Sequence, residues 1–373
     1  MQKIFAALLI VVFVLPVGAS SSLVEPREEA IIYAGPGQTH YQVNRVQWQD
    51  DITILERNPV GDWLYVHIER GNAGMEIEGW VQTGRMILDE SVEFSEIPVN
   101  FEATHFDPEN MDSRTEAELY AYPIVPTDIS PAMREVFERG QAMGNHADVV
   151  TKVGDSVSSN AVFVGAMAEP EYELGPYDYL EDTVRFFGEG TDVPSVASQV
   201  GLSSIAVFDS IFASAEWCAP DETPLACEYR NRQPSIAVVL FGPNDVRSMD
   251  ADRYAEQMTR IVEESLERGI IPVLLTFSVH PEDGLWWQSL DLNLAVAEVA
   301  NEYEVPLINF WAASRILPDF GLEIDQIHLS PSGYRKLIYT TGHEAYYGLS
   351  YLNLLTVYTL DLLRRELAMD APQ

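Results

Sequence analysis

Three short stretches of the chain bring together residue types that can cleave an acyl bond. Gly154-Asp155-Ser156 ends an apolar, β-branched run, Val149-Val150-Thr151-Lys152-Val153. A serine on a tight turn from strand into helix exposes its oxygen, but the hydroxyl is a weak nucleophile until a base takes its proton. Gly242-Pro243-Asn244-Asp245 ends a second apolar run, Ser235-Ile236-Ala237-Val238-Val239-Leu240-Phe241. An asparagine on such a glycine-flanked turn can aim its amide N–H at a developing oxyanion. Asp325-Gln326-Ile327-His328 sets an acid three residues before a histidine, just ahead of Ser330-Pro331. On a turn, that spacing lets the carboxylate reach Nδ1 of the imidazole while Nε2 points outward to a serine. Nucleophile, base, orienting acid and oxyanion donor are together the set that acyl transfer requires.

The elements that must position these groups alternate in the βα manner. Ser130-Pro131 reads as an N-cap with proline in the first helical position; Met133, Val136 and Phe137 share one face, and Gly140 is the expected stop. The strand ending at Gly154 follows. Residues 235–241 form a continuous apolar strand of the kind found in a parallel sheet covered on both faces. A helix is predicted over 251–268, a strand over 270–277, a helix over 289–303 and a last short strand over 306–310. Residues 331–346 and 351–367 read as two further helices, the second with Leu352, Leu355, Tyr358 and Leu362 on one stripe. The architecture expected is a doubly wound, flavodoxin-like α/β sheet, whose ligands bind at the carboxyl ends of its strands.

In this order and at these strand ends, the three blocks resemble those of the SGNH (GDSL-like) hydrolase family over roughly residues 145–345. The resemblance implies Ser156 as nucleophile, His328 as base and Asp325 as orienting acid. It implies an oxyanion hole built from the Ser156 N–H, the Asn244 side chain and a backbone N–H of a further, glycine-bearing block. The best match to that block is Val200-Gly201-Leu202-Ser203-Ser204, in which Ser204 stands where the family usually has glycine. Gly201 and Ser204 are both retained as the donor. A second departure is Val157, where leucine is common. The reaction implied is hydrolysis of a carboxylic ester through an acyl-serine, chemistry that needs no metal or cofactor.

The N-terminal part reads differently. Lys3, an apolar stretch over 4–16 and Val17-Gly18-Ala19 form a signal peptide over 1–19 and predict an exported, secreted or cell-surface protein. In that compartment Cys218 and Cys227 are expected to form a disulfide. Residues 25–88 show short alternating runs broken by Gly and Pro. Tyr33-Ala34-Gly35-Pro36-Gly37, Gly61-Asp62-Trp63-Leu64-Tyr65-Val66 and Glu78-Gly79-Trp80-Val81 resemble a bacterial SH3-like domain, which implies a small all-β barrel. Trp48, Trp63, Tyr65 and Trp80 are open to two readings, a binding surface or the barrel's core. Residues 89–128 read as an acidic linker draped in part over a neighbour, and 129–370 as the hydrolase domain. His280 is expected to be structural or solvated, and Trp286-Trp287 either walls a pocket or packs.

Charge narrows the partners. With 22 basic and 58 acidic residues, the formal net charge of -36 repels nucleic acid and anionic membrane surfaces. The partner expected is an ester substrate, such as an acetylated polysaccharide or cell-wall glycan. The competing class is a non-catalytic glycan- or peptide-binding surface protein built on the same scaffold.

Overall fold

The computed structural model describes residues 25–27, 29–70, 74–89, 91–107 and 114–371. The signal-peptide segment lies outside these residues. Seven N-terminal strands are β1 (Glu25–Pro26), β2 (Ile31–Tyr33), β3 (Gln42–Arg45), β4 (Asp50–Arg57), β5 (Trp63–Arg70), β6 (Met75–Gln82) and β7 (Met86–Ile87). β1 pairs with β7, and the other five form an antiparallel sheet in the order β3-β2-β6-β5-β4. Among the described residues the outer strands β3 and β4 do not pair, so the expected closed barrel is corrected to an open sheet. β3 has only four residues, none of them buried, and so offers little apolar surface to drive closure.

Alternation along these strands builds two clusters. Ile32, Ile52, Leu64, Val66, Ile68, Ile77 and Val81 fill one. Tyr33, Trp63 and Trp80 fill the other, with Tyr33 edge-on to Trp63 at 5.7 Å between ring centroids. The aromatic group therefore divides: Trp63 and Trp80 are core, Tyr65 is half-buried and Trp48 is 67% exposed.

The second sheet is parallel throughout, with β8 (His146–Gly154), β9 (Pro234–Leu240), β10 (Ile271–Leu275) and β11 (Leu307–Ile308) side by side in that order. Every residue of β9 and β10 is buried, as their unbroken apolar runs require. On the far side of β8 a single parallel bridge joins Gly154 to Ser198. Counting that bridge as a vestigial strand gives the flavodoxin-like order 2-1-3-4-5, with the switch point between β8 and β9. The crevice at the switch point is where such sheets bind ligands.

Helix boundaries follow local chemistry, with two corrections. Ser130 caps the helix Pro131–Met143, but the stop is Gly144, at φ 95°, and Gly140 lies inside. Gly140 is there for contact: a Cβ on it would sit 2.1 Å from the Gly269 carbonyl oxygen. Residues 331–346 do not form the expected helix; among them only His343–Ala345 make a short 3₁₀ turn. Gly333 and Gly342 adopt left-handed φ of 82° and 71°, and Tyr339 N–H donates to the Glu173 carbonyl at 2.7 Å rather than within a helix. The final helix, Gly348–Glu366, is buried on nearly all faces rather than on one stripe.

The turn between β4 and β5 is tied to this helix and to the segment around Tyr179. Tyr351 Oη donates to Asp62 Oδ2 at 2.6 Å, and Tyr179 Oη donates to the Val60 carbonyl at 2.6 Å. The acidic segment also holds on: Tyr120 packs edge-on to Trp311 at 4.8 Å, and Asn309 Nδ2 donates to the Leu119 carbonyl at 2.8 Å. Gly140→Ala is expected to lower stability by about 1–3 kcal/mol through overpacking against Gly269. Urea unfolding of the two proteins checks this, and an unchanged midpoint would mean the backbones separate freely.

Candidate active site

β8 and β9 end level with each other, because Gly154 is in register with Leu240. The approach is too close for a side chain: a Cβ on Gly154 would lie 2.1 Å from the Leu240 carbonyl oxygen. The chain then turns into the short helix Ser156–Ser159, capped by Asp155, whose Oδ1 accepts the Val157 N–H at 2.9 Å. Ser156 thus sits on the helix's first residue, at the mouth of the crevice. Lys152 Nζ donates to the Asn160 and Phe163 carbonyls, both at 3.1 Å, and ties down the segment beyond.

Asp325 and His328, the expected acid and base, lie in one tight loop after β11. Asp325 Oδ1 accepts the Ile327 and His328 N–H groups, each at 3.0 Å, with Gln326 at φ 59°. Its other oxygen, Oδ2, lies 2.7 Å from His328 Nδ1. One oxygen shapes the turn and the other orients the ring, so Nδ1 is the protonated nitrogen and Nε2 the acceptor. His328 Nε2 lies 3.0 Å from Ser156 Oγ. Desolvation raises the Asp325 carboxyl, but the hydrogen bonds from the His328 ring and from the two amides outweigh it and hold the group at about 2. It is therefore ionised wherever the imidazole can act as a base.

Asn244 follows β9 and donates from Nδ2 to the Leu202 carbonyl at 3.2 Å. A primary amide carries two N–H donors, so one remains for a substrate oxygen. The loop it touches is held to the nucleophile turn: Gln199 N–H donates to the Gly154 carbonyl at 3.2 Å. Of the two retained backbone donors, Ser204 is withdrawn. Its N–H and its hydroxyl both donate to Asp245 Oδ1, at 2.9 and 2.7 Å, and the residue is fully buried. Gly201 is exposed, at φ 81°, with nothing within 4 Å of where a Cβ would lie.

Asp155 and Asp245 are wholly buried. Burial pushes Asp155 up to about 7, the Val157 N–H opposes this, and the charge of Asp245 adds to it. Asp245 is also raised by burial, against hydrogen bonds from Ser204 and Gly242. Sequence reasoning placed both residues in motifs without seeing this pair; acidic residues inside two apolar strand-end blocks were the available signal.

The remaining residues singled out lie outside the relay. Cys218 and Cys227 form a disulfide. His280 Nδ1 accepts the Glu282 N–H at 3.1 Å and its ring meets Phe320 edge-on, a structural role. Trp286 packs near Trp311, whereas Trp287 is 61% exposed.

Comparison with known proteins agrees with this chemistry. Residues 209–336 match the model of the GDSL-like Lipase/Acylhydrolase family, a span that holds Asn244, Asp325 and His328 and begins after Ser156. The match supports hydrolysis of an ester bond. Similar solved structures include a lipase/acylhydrolase from Enterococcus faecalis, at 19% identity and TM-score 0.37, covering 56% of this chain and 93% of that one. A catalytic mutant of an acetylxylan esterase from Geobacillus stearothermophilus shows 15% identity and TM-score 0.37, with coverage of 60% and 95%. A GDSL-like lipase from Bacteroides thetaiotaomicron shows 13% identity and TM-score 0.36, with coverage of 64% and 98%. No curated protein matches the chain.

Asp325→Asn removes the acceptor that fixes the imidazole tautomer. It is expected to lower kcat by on the order of 10⁴, as in serine-protease triads, with little change in KM. Steady-state kinetics on a soluble ester checks this, and a near-normal kcat would remove Asp325 from the relay.

Proposed function

We propose that this chain, an ester-bond hydrolase of the GDSL-like type, is an exported serine esterase acting on short-acyl esters or O-acetyl groups of a carbohydrate. The observation that carries the reading is the continuous relay from Asp325 Oδ2 through His328 to Ser156 Oγ, at 2.7 and 3.0 Å. Ser156 attacks the carbonyl as His328 Nε2 takes its proton, and the imidazolium returns that proton to the leaving alcohol. Asp325 stabilises the imidazolium. Asn244 Nδ2, with backbone N–H groups of Ser156 and Gly201, receives the oxyanion. Water activated by the same imidazole then hydrolyses the acyl-enzyme.

Carriage of the acyl group on a large molecule is supported by how open the relay is. The side chains of His328 and Asp325 are 47% and 43% exposed. A carbohydrate carrier suits the acidic surface, because neutral glycans meet no charge repulsion. Export is supported by Lys3, the apolar stretch over 4–16 and the Val17-Gly18-Ala19 end, together with the Cys218–Cys227 disulfide. No helix of the described residues is long and apolar enough to cross a membrane.

The test compares wild type, Ser156→Ala and Asn244→Ala on p-nitrophenyl acetate, p-nitrophenyl butyrate and an acetylated xylan. Ser156→Ala is expected to abolish turnover, and Asn244→Ala to lower kcat roughly 10²–10³-fold. Preference for acetyl over butyryl and release of acetate from the polymer fit the proposal. Residual turnover in Ser156→Ala, or a neutral Asn244→Ala, would contradict the assigned roles.

A further inference from the structure

Beneath the nucleophile lie two carboxylates that the relay does not use as acid or base. Asp155 and Asp245 are both 0% exposed, and the charge of Asp245 acts on Asp155. The other ionisable group acting on Asp155 is His328, which favours its charged form, and both carboxylates act on the buried phenol of Tyr254 in the helix Ala251–Glu267. A like charge in a site closed to water disfavours ionisation of its neighbour, so the second of two such carboxylates gives up its proton at a raised pH.

Hydrogen-bond donors decide which member holds it. Asp245 receives three: Ser204 N–H and Ser204 Oγ–H on Oδ1, and Gly242 N–H on Oδ2 at 3.1 Å. Donors of that number favour the ionised form. Asp155 Oδ1 receives the Val157 N–H, while Oδ2 is buried with no partner among the described residues. An ionised Oδ2 there would bear the uncompensated desolvation penalty of a charge, whereas a neutral carboxyl bears only the smaller penalty of a polar group. Two further buried oxygens without partners belong to residues around it: Tyr254 Oη, and Ser198 Oγ on the bridge beside Gly154.

We propose that Asp155 carries the one proton of an Asp155–Asp245 pair and is a positioning residue for the nucleophile in its neutral form. Through Oδ1 it caps the helix that begins at Ser156, without placing a second negative charge beneath the oxyanion. Ionised Asp245 meanwhile clamps the Ser204 and Gly242 backbones on either side of Asn244. Burial, countered by the Val157 N–H and reinforced by Asp245, sets the proton's loss at about 7. Above that pH a second charge opposes both Asp245 and the oxyanion. Because the folded value is raised, the stabilisation from this group is complete below the unfolded value of about 4 and is lost as pH rises through about 7. The catalytic half of this inference rests on Ser156 being the nucleophile; the proton assignment does not.

The experiment follows wild type and Asp155→Asn, an isosteric neutral mimic, through pH 5 to 9 by three readouts. The Tm of wild type relative to the variant is expected to fall as pH rises through about 7 and then to level off. The infrared carbonyl stretch of a buried protonated carboxyl is expected in wild type at low pH and to be lost from the variant. The alkaline limb of the wild-type kcat/KM profile is expected to be absent in Asp155→Asn. Should that variant not fold, Asp245→Asn serves instead, and its carboxyl band should be lost at a lower pH than in wild type. A pH-independent Tm difference, or a band unchanged by either substitution, overturns the proton assignment. An alkaline limb retained by Asp155→Asn overturns the link to catalysis. Absence of turnover from wild type at every pH falls on the nucleophile assignment instead, since melting and infrared spectra need no substrate.

Discussion

The proposed reaction centre depends on the parallel pairing of β8 with β9. Because Gly154 and Leu240 lie in register, both strands stop at one level, and the turns that follow open into one crevice. Ser156 comes from one turn and Asn244 from the other. The absence of a side chain at Gly154 lets the backbones approach, and the bridge from Gly154 to Ser198 brings the Gly201 loop to the same end. His328 then need only be delivered from the far side of the sheet by the loop beyond β11. A shift of one residue in the β8–β9 register would exchange the two faces of β8 and displace the turn that carries Ser156 relative to Asn244.

Asp325 shows how little sequence is needed for that delivery. Four residues hold the turn, its two amide hydrogen bonds and the imidazole, because the carboxylate divides its oxygens between backbone and ring. The loop is exposed, so its geometry owes more to local hydrogen bonds than to packing. The nucleophile side is the opposite case: Asp155 and Asp245 are sealed beneath it, and hydrogen bonds among Ser204, Gly242 and Asp245 set the positions of the oxyanion loops.

Much of this was legible in the sequence because the relevant signals are local. Glycine-punctuated turns after apolar runs located Ser156 and Asn244, and the three-residue spacing located Asp325 and His328. What stayed hidden depends on tertiary contact. Ser204 reads as a possible donor until the buried Asp245 beside it is seen to take its N–H. Gly140 reads as a helix stop, yet its role is to admit the Gly269 backbone. Residues 331–346 read as a helix opened by Ser330-Pro331, but Gly333, Gly342 and the pairing with Glu173 carry them into an irregular path. The alternating strands of 29–70 and 74–88 signal a small β unit. Which strands pair at its edges is set by residues far apart in the chain, so closure could not be read locally.

In the proposed reaction Ser156 Oγ, activated by His328 and Asp325, attacks a carbonyl. The most direct test is to react the protein with a fluorophosphonate and locate the adduct by peptide mass spectrometry. One modified residue, Ser156, is expected, at a rate that collapses in His328→Ala. Labelling at any other serine, or equally fast labelling without His328, would contradict it.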